Sequence, residues 1–342
     1  RGGADSLDGG AGIDTASYST ATAAVTVYLD GRTGVGSEAQ GDVLTGIEVV
    51  IGTNFDDSIT GTGVNETLQG GSGNDTLLGG AGADSLDGGA GNDVASYSTA
   101  GGAINASFAS GALVITGSDA NGDAFNAIEG VIGTGFNDVM TGGTSAEFFD
   151  GGAGNDTIVG SQGADTLIGG ADNDTLTYLA SASGVTVQNN LALTGALSSG
   201  GGDAAADVVV GFETVIGSNF DDAIYDLTGS AAQLTGNDGN DFLSGAVGVD
   251  TLDGGSGDDT RDGGSGADAL IGGSGIDTAS YASATGGLTA NLANTVMNSG
   301  DATGDTFNGI ENLTGSAFND TLFGDGNANV LDGGNGNDTL LG

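Results

Sequence analysis

Gly70-Gly71-Ser72-Gly73-Asn74-Asp75-Thr76-Leu77-Leu78 is followed without a break by two further nine-residue copies, from Gly79 and from Gly88. Around them acids recur at Glu48, Asp57, Glu66, Asp75, Asp84 and Asp93, in steps of nine. The same step runs through Glu129, Asp138, Glu147, Asp156, Asp165 and Asp174. A third ladder starts at Glu213 and Asp222, slips by one residue over the 19 positions to Asp241, and continues through Asp250, Asp259, Asp268 and Asp277. Glu311, Asp320, Asn329 and Asp338 form a fourth, and Asp5 and Asp14 read as the tail of an earlier one. Two residues after most of these acids stands an apolar side chain, as at Ile59, Leu68, Leu77 and Leu86.

One large side chain per nine residues cannot build a layered core. It can build a narrow one if each short strand points that residue inward and like strands stack above it. The glycines at positions one, two and four suit a tight turn. Turn, short strand, turn, short strand makes a coil of about 18 residues that advances by one strand spacing. The pattern therefore predicts an all-β parallel solenoid. At most 19 coils fit into 342 residues.

Composition narrows the chemistry. The chain carries 46 Asp and Glu against three basic residues, for a net charge of −43, with no His, Cys or Pro. The basic residues are Arg1, Arg32 and Arg261. Without Cys there is neither a disulfide framework nor a thiolate metal site. Without His there is no imidazole acid/base group and no histidine zinc site. Three cations cannot neutralise a phosphate backbone, so nucleic acid is excluded as a partner. No apolar run is long enough for membrane insertion. Paired carboxylates recur at every turn, whereas an active site is singular, so the chain does not read as an enzyme.

Ladders cover residues 1–17, 48–96, 129–177, 213–280 and 311–342, and enlarged coils 18–47, 97–128, 178–212 and 281–310, in what is expected to be one continuous solenoid. Each enlarged segment opens on an acid with a Tyr four residues on, as in Asp14/Tyr18 and Asp93/Tyr97. Each closes on an apolar-Glu pair followed by Phe55, Phe136, Phe220 or Phe318. These segments are read as about two enlarged coils each, with Tyr and Phe filling a wider interior.

Calcium takes six to eight oxygens, carbonyl as readily as carboxylate. A Gly-rich turn bares its carbonyls, and the Asp at position six closes it with a carboxylate. Stacking sets turns 18 residues apart above one another, so one ion can bridge two turns. The best pairs on this rule are Asp75 with Asp93, Asp156 with Asp174, Asp241 with Asp259, Asp250 with Asp268 and Asp259 with Asp277. Asp57 with Asp75, Asp138 with Asp156, and Asp165 with Glu147 rank second, because their turns lack the fourth glycine. Asp84, Asp222, Asp320, Asp338, Asp5 and Asp14 complete the candidates. The rival reading is that each Asp merely caps its turn through local backbone N–H groups. Stacked columns favour a counterion, because like charges about 5 Å apart repel.

The nonapeptide G-G-x-G-x-D-x-U-x, in which U is a large apolar residue, resembles the calcium-binding repeat of the RTX (repeats-in-toxin, hemolysin-type) proteins. Residues 70–78, 79–87, 88–96, 151–159, 254–262, 263–271, 272–280 and 333–341 carry it, with Arg261 in the apolar place of one copy. The resemblance implies a right-handed parallel β-roll, with Ca2+ held by turn carbonyls, here those of Gly71, Gly73, Gly89 and Gly91, and by the paired Asp side chains. About a dozen ions are expected on the spacing of the turns. Two roles fit: an extracellular calcium-stiffened structural rod of a surface layer, filament, matrix or adhesin stalk, or the repeat region of a type I-secreted toxin or hydrolase, aiding export and calcium-triggered folding. Both place the chain outside the cell or on a bacterial surface. Both ends cut through repeats, so the sequence reads as part of something longer, with self-association into a filament or layer as an expectation.

Overall fold

The computed structural model describes residues 2–193 and 199–342; Arg1 and residues 194–198, inside the enlarged segment 178–212, lie outside the described residues. The chain divides into two compact units, residues 1–158 with 170–172, and residues 159–169 with 173–342. Each is a parallel β-roll.

In the first unit, strands Thr26–Tyr28, Ser58–Thr62, Thr76–Gly80, Val94–Ser96, Gly130–Ile132 and Phe148–Ala153 follow one another across one sheet. A second sheet holds Thr15–Ser17, Val49–Ile51, Thr67–Ser72, Ser85–Ala90 and Ala124–Asn126 in that order. The register advances by one coil at each step: Ile59 stands beside Leu77 and Leu68 beside Leu86. All four are fully or almost fully buried. The apolar residue two places after each acid is therefore the inward one, and the coil has the 18-residue length that the nine-residue period implies.

The second unit repeats the design. Strands Thr186–Asn190, Ala223–Asp226, Phe242–Ser244, Thr260–Asp262, Thr278–Ser280 and Asn312–Thr314 form one sheet, and Thr214–Ile216, Gln233–Asp238, Thr251–Ser256, Ala269–Ser274 and Thr306–Asn308 another. The one-residue slip of the third ladder is absorbed without loss of register, since Ala223 and Ile224 pair with Phe242 and Leu243.

The enlarged segments hold more than wider coils. In three of them the chain folds back through an antiparallel bridge, Thr26 to Val35, Thr186 to Gly200 and Thr289 to Ser299. In the fourth, Asn105–Ser107 pairs antiparallel with Val114–Thr116. One-turn 3-10 helices at Ser37–Ala39, Ser118–Ala120, Gly202–Ala204 and Gly300–Ala302 then return it to the roll, each burying its Ala. Tyr18, Tyr97, Tyr178 and Tyr281 are buried, as expected of interior aromatics. The four phenylalanines are not. Phe55, Phe136, Phe220 and Phe318 are each 43–47% exposed. They stand at the fourth position of their turns, where the repeat has Gly, and the tip of a turn faces solvent rather than the core.

Candidate metal centres

Most ladder acids sit at the bend into a strand, with the side chain turned into the stack. Asp57, Asp75, Asp84, Asp93, Asp138, Asp156, Asp165, Asp174, Asp222, Asp241, Asp250, Asp259, Asp268, Asp277 and Asp320 are all buried, while Asp5 is exposed and Asp14 and Asp338 are partly so. One hydrogen bond recurs. The backbone N–H of an acid donates to the first carboxylate oxygen of the acid one coil on. Asp57 donates to Asp75 at 2.7 Å, Asp75 to Asp93 at 2.7 Å, Asp241 to Asp259 at 2.8 Å and Asp250 to Asp268 at 2.9 Å. Asp138 donates in the same way to Asp156, Asp222 to Asp241 and Asp320 to Asp338. Beside this column runs a second in the opposite sense, in which the N–H of Asn92 donates to the Asn74 side chain and that of Asp258 to the Asn240 side chain.

The second carboxylate oxygen separates the sites. In Asp75, Asp84, Asp93, Asp241, Asp250, Asp268 and Asp277, Oδ2 is buried and accepts no hydrogen bond. An orphaned buried oxygen is costly unless something positive meets it. It lies over the first glycine of its own turn: a Cβ on Gly70 would stand 2.1 Å from Asp75 Oδ2. The turn above presses equally close, since a Cβ on Gly89 (φ +102°) would stand 2.2 Å from the Gly71 carbonyl oxygen and one on Gly91 1.9 Å from that of Gly73. Only glycine leaves room for stacked carbonyls beside a free carboxylate oxygen. Among the described residues no three acidic side chains converge on one point. An ion's shell must therefore be completed by backbone carbonyls, a donor set that suits calcium.

Burial pushes the Asp75, Asp84, Asp93, Asp241, Asp250 and Asp268 carboxyls up. Asp75, Asp84, Asp241 and Asp268 rise to about 7 and Asp250 to about 6, with desolvation the main cause and nearby acids adding to it in all five. Backbone N–H donors pull in the other direction and lose.

At other turns the carboxylate is already satisfied. Asp57 accepts from the N–H and hydroxyl of Thr53, and Asp138, Asp222 and Asp320 do the same with Thr134, Ser218 and Ser316. A hydroxyl residue at the second position replaces the glycine there. At these turns the local cap is fully formed. Asp165 has Ser161 in the equivalent place, and Asn329 donates its amide to the Glu311 carbonyl.

Four column members escaped the sequence reading. Asp42, Asp123, Asp207 and Asp305 lie inside the enlarged segments and accept the N–H groups of Asp5, Asp84, Asp165 and Asp268. The other oxygen of each accepts a tyrosine hydroxyl, from Tyr18, Tyr97, Tyr178 and Tyr281 respectively, at 2.6–3.0 Å. The signal was present: each stands two residues before an inward apolar residue, as in Asp42-Val43-Leu44.

Stacked Gly-Asp turns with carboxylates poised for a hard cation define a calcium-binding parallel β-roll. The model of the RTX calcium-binding nonapeptide repeat matches residues 1–16, 60–95, 131–158, 141–176, 228–260, 262–279 and 305–340, more than half of the chain. The chain belongs to that family. No curated protein matches it.

Asp75→Ala is expected to weaken calcium binding about tenfold or remove an ion outright, a loss of about 1.4 kcal/mol or more. Asp87→Ala is expected to do little. Asp87 stands at position nine, half-buried, and accepts a hydrogen bond from the Asn126 amide at 2.7 Å instead of facing a turn. Calcium titration of the two variants compares them directly; equal affinities would show that the assignment of position six is wrong.

Proposed function

We propose that the chain is a non-catalytic structural repeat protein that works outside the cell, where calcium entering its stacked turns stiffens it. About a dozen ions are taken up, at affinities suited to the 10⁻⁴–10⁻³ M range of extracellular modules. One observation carries the reading: the same buried, partnerless carboxylate oxygen recurs at the same place in successive turns of both units. A single such site would suit a regulatory ion. A column of them makes calcium part of the framework, because every ion cross-links two coils. Such a framework fits a surface layer, extracellular filament, matrix or adhesin stalk, assembled by self-association. No helix among the described residues is long and apolar enough to cross a membrane.

Equilibrium dialysis with labelled calcium, combined with fractionation of the producing cells, tests the reading. Multiple ions bound at millimolar calcium and folded protein outside the cell are expected. Failure to bind calcium at that level, or recovery of folded chain from the cytoplasm, would sink it.

A further inference from the structure

Arg261 breaks the repeat in the least tolerant place. It occupies the inward apolar position of 254–262, between Leu243 on one side and Ala279 on the other. Its side chain is wholly buried. A guanidinium keeps its charge in any protein environment, so burial here needs compensation from fixed oxygens. Three oxygens around Nη2 supply most of it, while Nη1 reaches the Asp259 carbonyl oxygen at 3.5 Å and Nε is buried with no partner. Nη2 donates to Asp259 Oδ2 at 2.9 Å, to Asp277 Oδ1 at 3.2 Å and to the Gly272 carbonyl at 2.7 Å.

Those are two position-six acids, one coil apart, and the carbonyl of a first-position glycine. The same kinds of oxygen line the calcium turns. Asp259 Oδ2 corresponds to the atom that is orphaned in Asp75, Asp241, Asp250 and Asp268, and here it is paired. Gly254 shows how closely the side chain is fitted: a Cβ there would meet Nη2 at 1.6 Å and Asp259 Oδ2 at 2.2 Å. Ala279, where most copies carry a larger apolar residue, leaves the side chain space.

We propose that Arg261 is a resident cation that takes the place of calcium between the turns of Asp259 and Asp277, making this coil of the second unit independent of the ion. The inference rests on the calcium reading of the other turns. A metal at this position would have to share Asp259 Oδ2, Asp277 Oδ1 and the Gly272 carbonyl with a guanidinium nitrogen, and like charges at such distances exclude one another.

Arg261→Leu restores the repeat's apolar residue and frees all three oxygens. Native mass spectrometry of the full chain at saturating calcium is expected to count one more ion on this variant than on the unsubstituted chain, whereas Arg261→Lys is expected to leave the count unchanged. An equal or lower count on a folded Arg261→Leu variant would overturn the proposal. A chain that binds no calcium in any form would instead overturn the functional reading on which it rests. Hydrogen exchange of the unsubstituted chain in excess chelator supplies a second measurement, needed if the Leu variant does not fold. Amides of Thr260–Asp262 and Thr278–Ser280 are expected to exchange at least tenfold more slowly than those of Thr76–Gly80 and Val94–Ser96, whose turns hold only acids. Equal exchange in the two regions would also overturn it.

Discussion

In excess chelator the chain is expected to lose most of its β-structure, and to regain it cooperatively as calcium is restored, with magnesium a poor substitute. Each repeat buries a single Leu, Ile or similar side chain while ordering nine residues, and backbone entropy outweighs that burial. The net charge of −43 adds repulsion, and the roll gathers its acids into buried columns instead of spreading them. Calcium reverses both terms. Each ion brings two positive charges to a pair of turns and ties coils together, so its binding free energy becomes folding free energy. Magnesium prefers a strict octahedron and retains water, which these carbonyl-lined turns do not accommodate. Circular dichroism through a calcium titration reads the transition. A full β spectrum that survives chelation would refute calcium-driven folding while leaving the fold itself intact.

Acid is expected to replace calcium in part. Asp75, Asp84, Asp241 and Asp268 hold protons up to about pH 7 in the roll, against about 4 in an unfolded chain. Between those limits the metal-free folded form binds more protons than the unfolded one. Its stability therefore rises as pH falls through 7 towards 4, and is lost as pH rises through 7. Calcium needs the ionised carboxylates, so the opposite trend governs the loaded chain: binding releases protons near neutrality and weakens as pH drops. Dichroism in chelator from pH 8 to 4 should show β-structure returning on the acid side. Calorimetric titration in buffers of different ionisation enthalpy should register the released protons. A metal-free chain indifferent to pH over this window would refute the account.

Most of the framework was legible in the sequence because period nine and the inward residue are the same physical fact. Leu68, Leu77 and Leu86 mark strands, coil length and register together. What stayed hidden lay where the period lapses. Asp42, Asp123, Asp207 and Asp305 obey the local Asp-x-apolar rule, but they have no neighbour nine residues away to announce them. Their tyrosine partners come from 24 to 29 residues earlier, a distance set by the antiparallel excursion rather than by the repeat. Phe55 and its equivalents misled because an aromatic residue beside an enlarged coil suggests filling, while their place in the turn was the better guide. Arg261 was visible as a break in pattern, but its reach to Asp259 and Asp277 needed coordinates.

The two opposed columns of hydrogen bonds have a mechanical consequence. Asn74 takes the amide of the coil above it while Asp75 gives its own amide to that coil. Adjacent residues thus join the same two layers with threads that run in opposite directions, as in a lockstitch. Cutting one thread leaves the other fastened, so a lost acid opens a gap in the seam without unravelling it. A turn can then lose its acid and the cloth still holds, wherever the residue before that acid keeps its Asn or Asp side chain, as Asn74, Asn240 and Asn319 do.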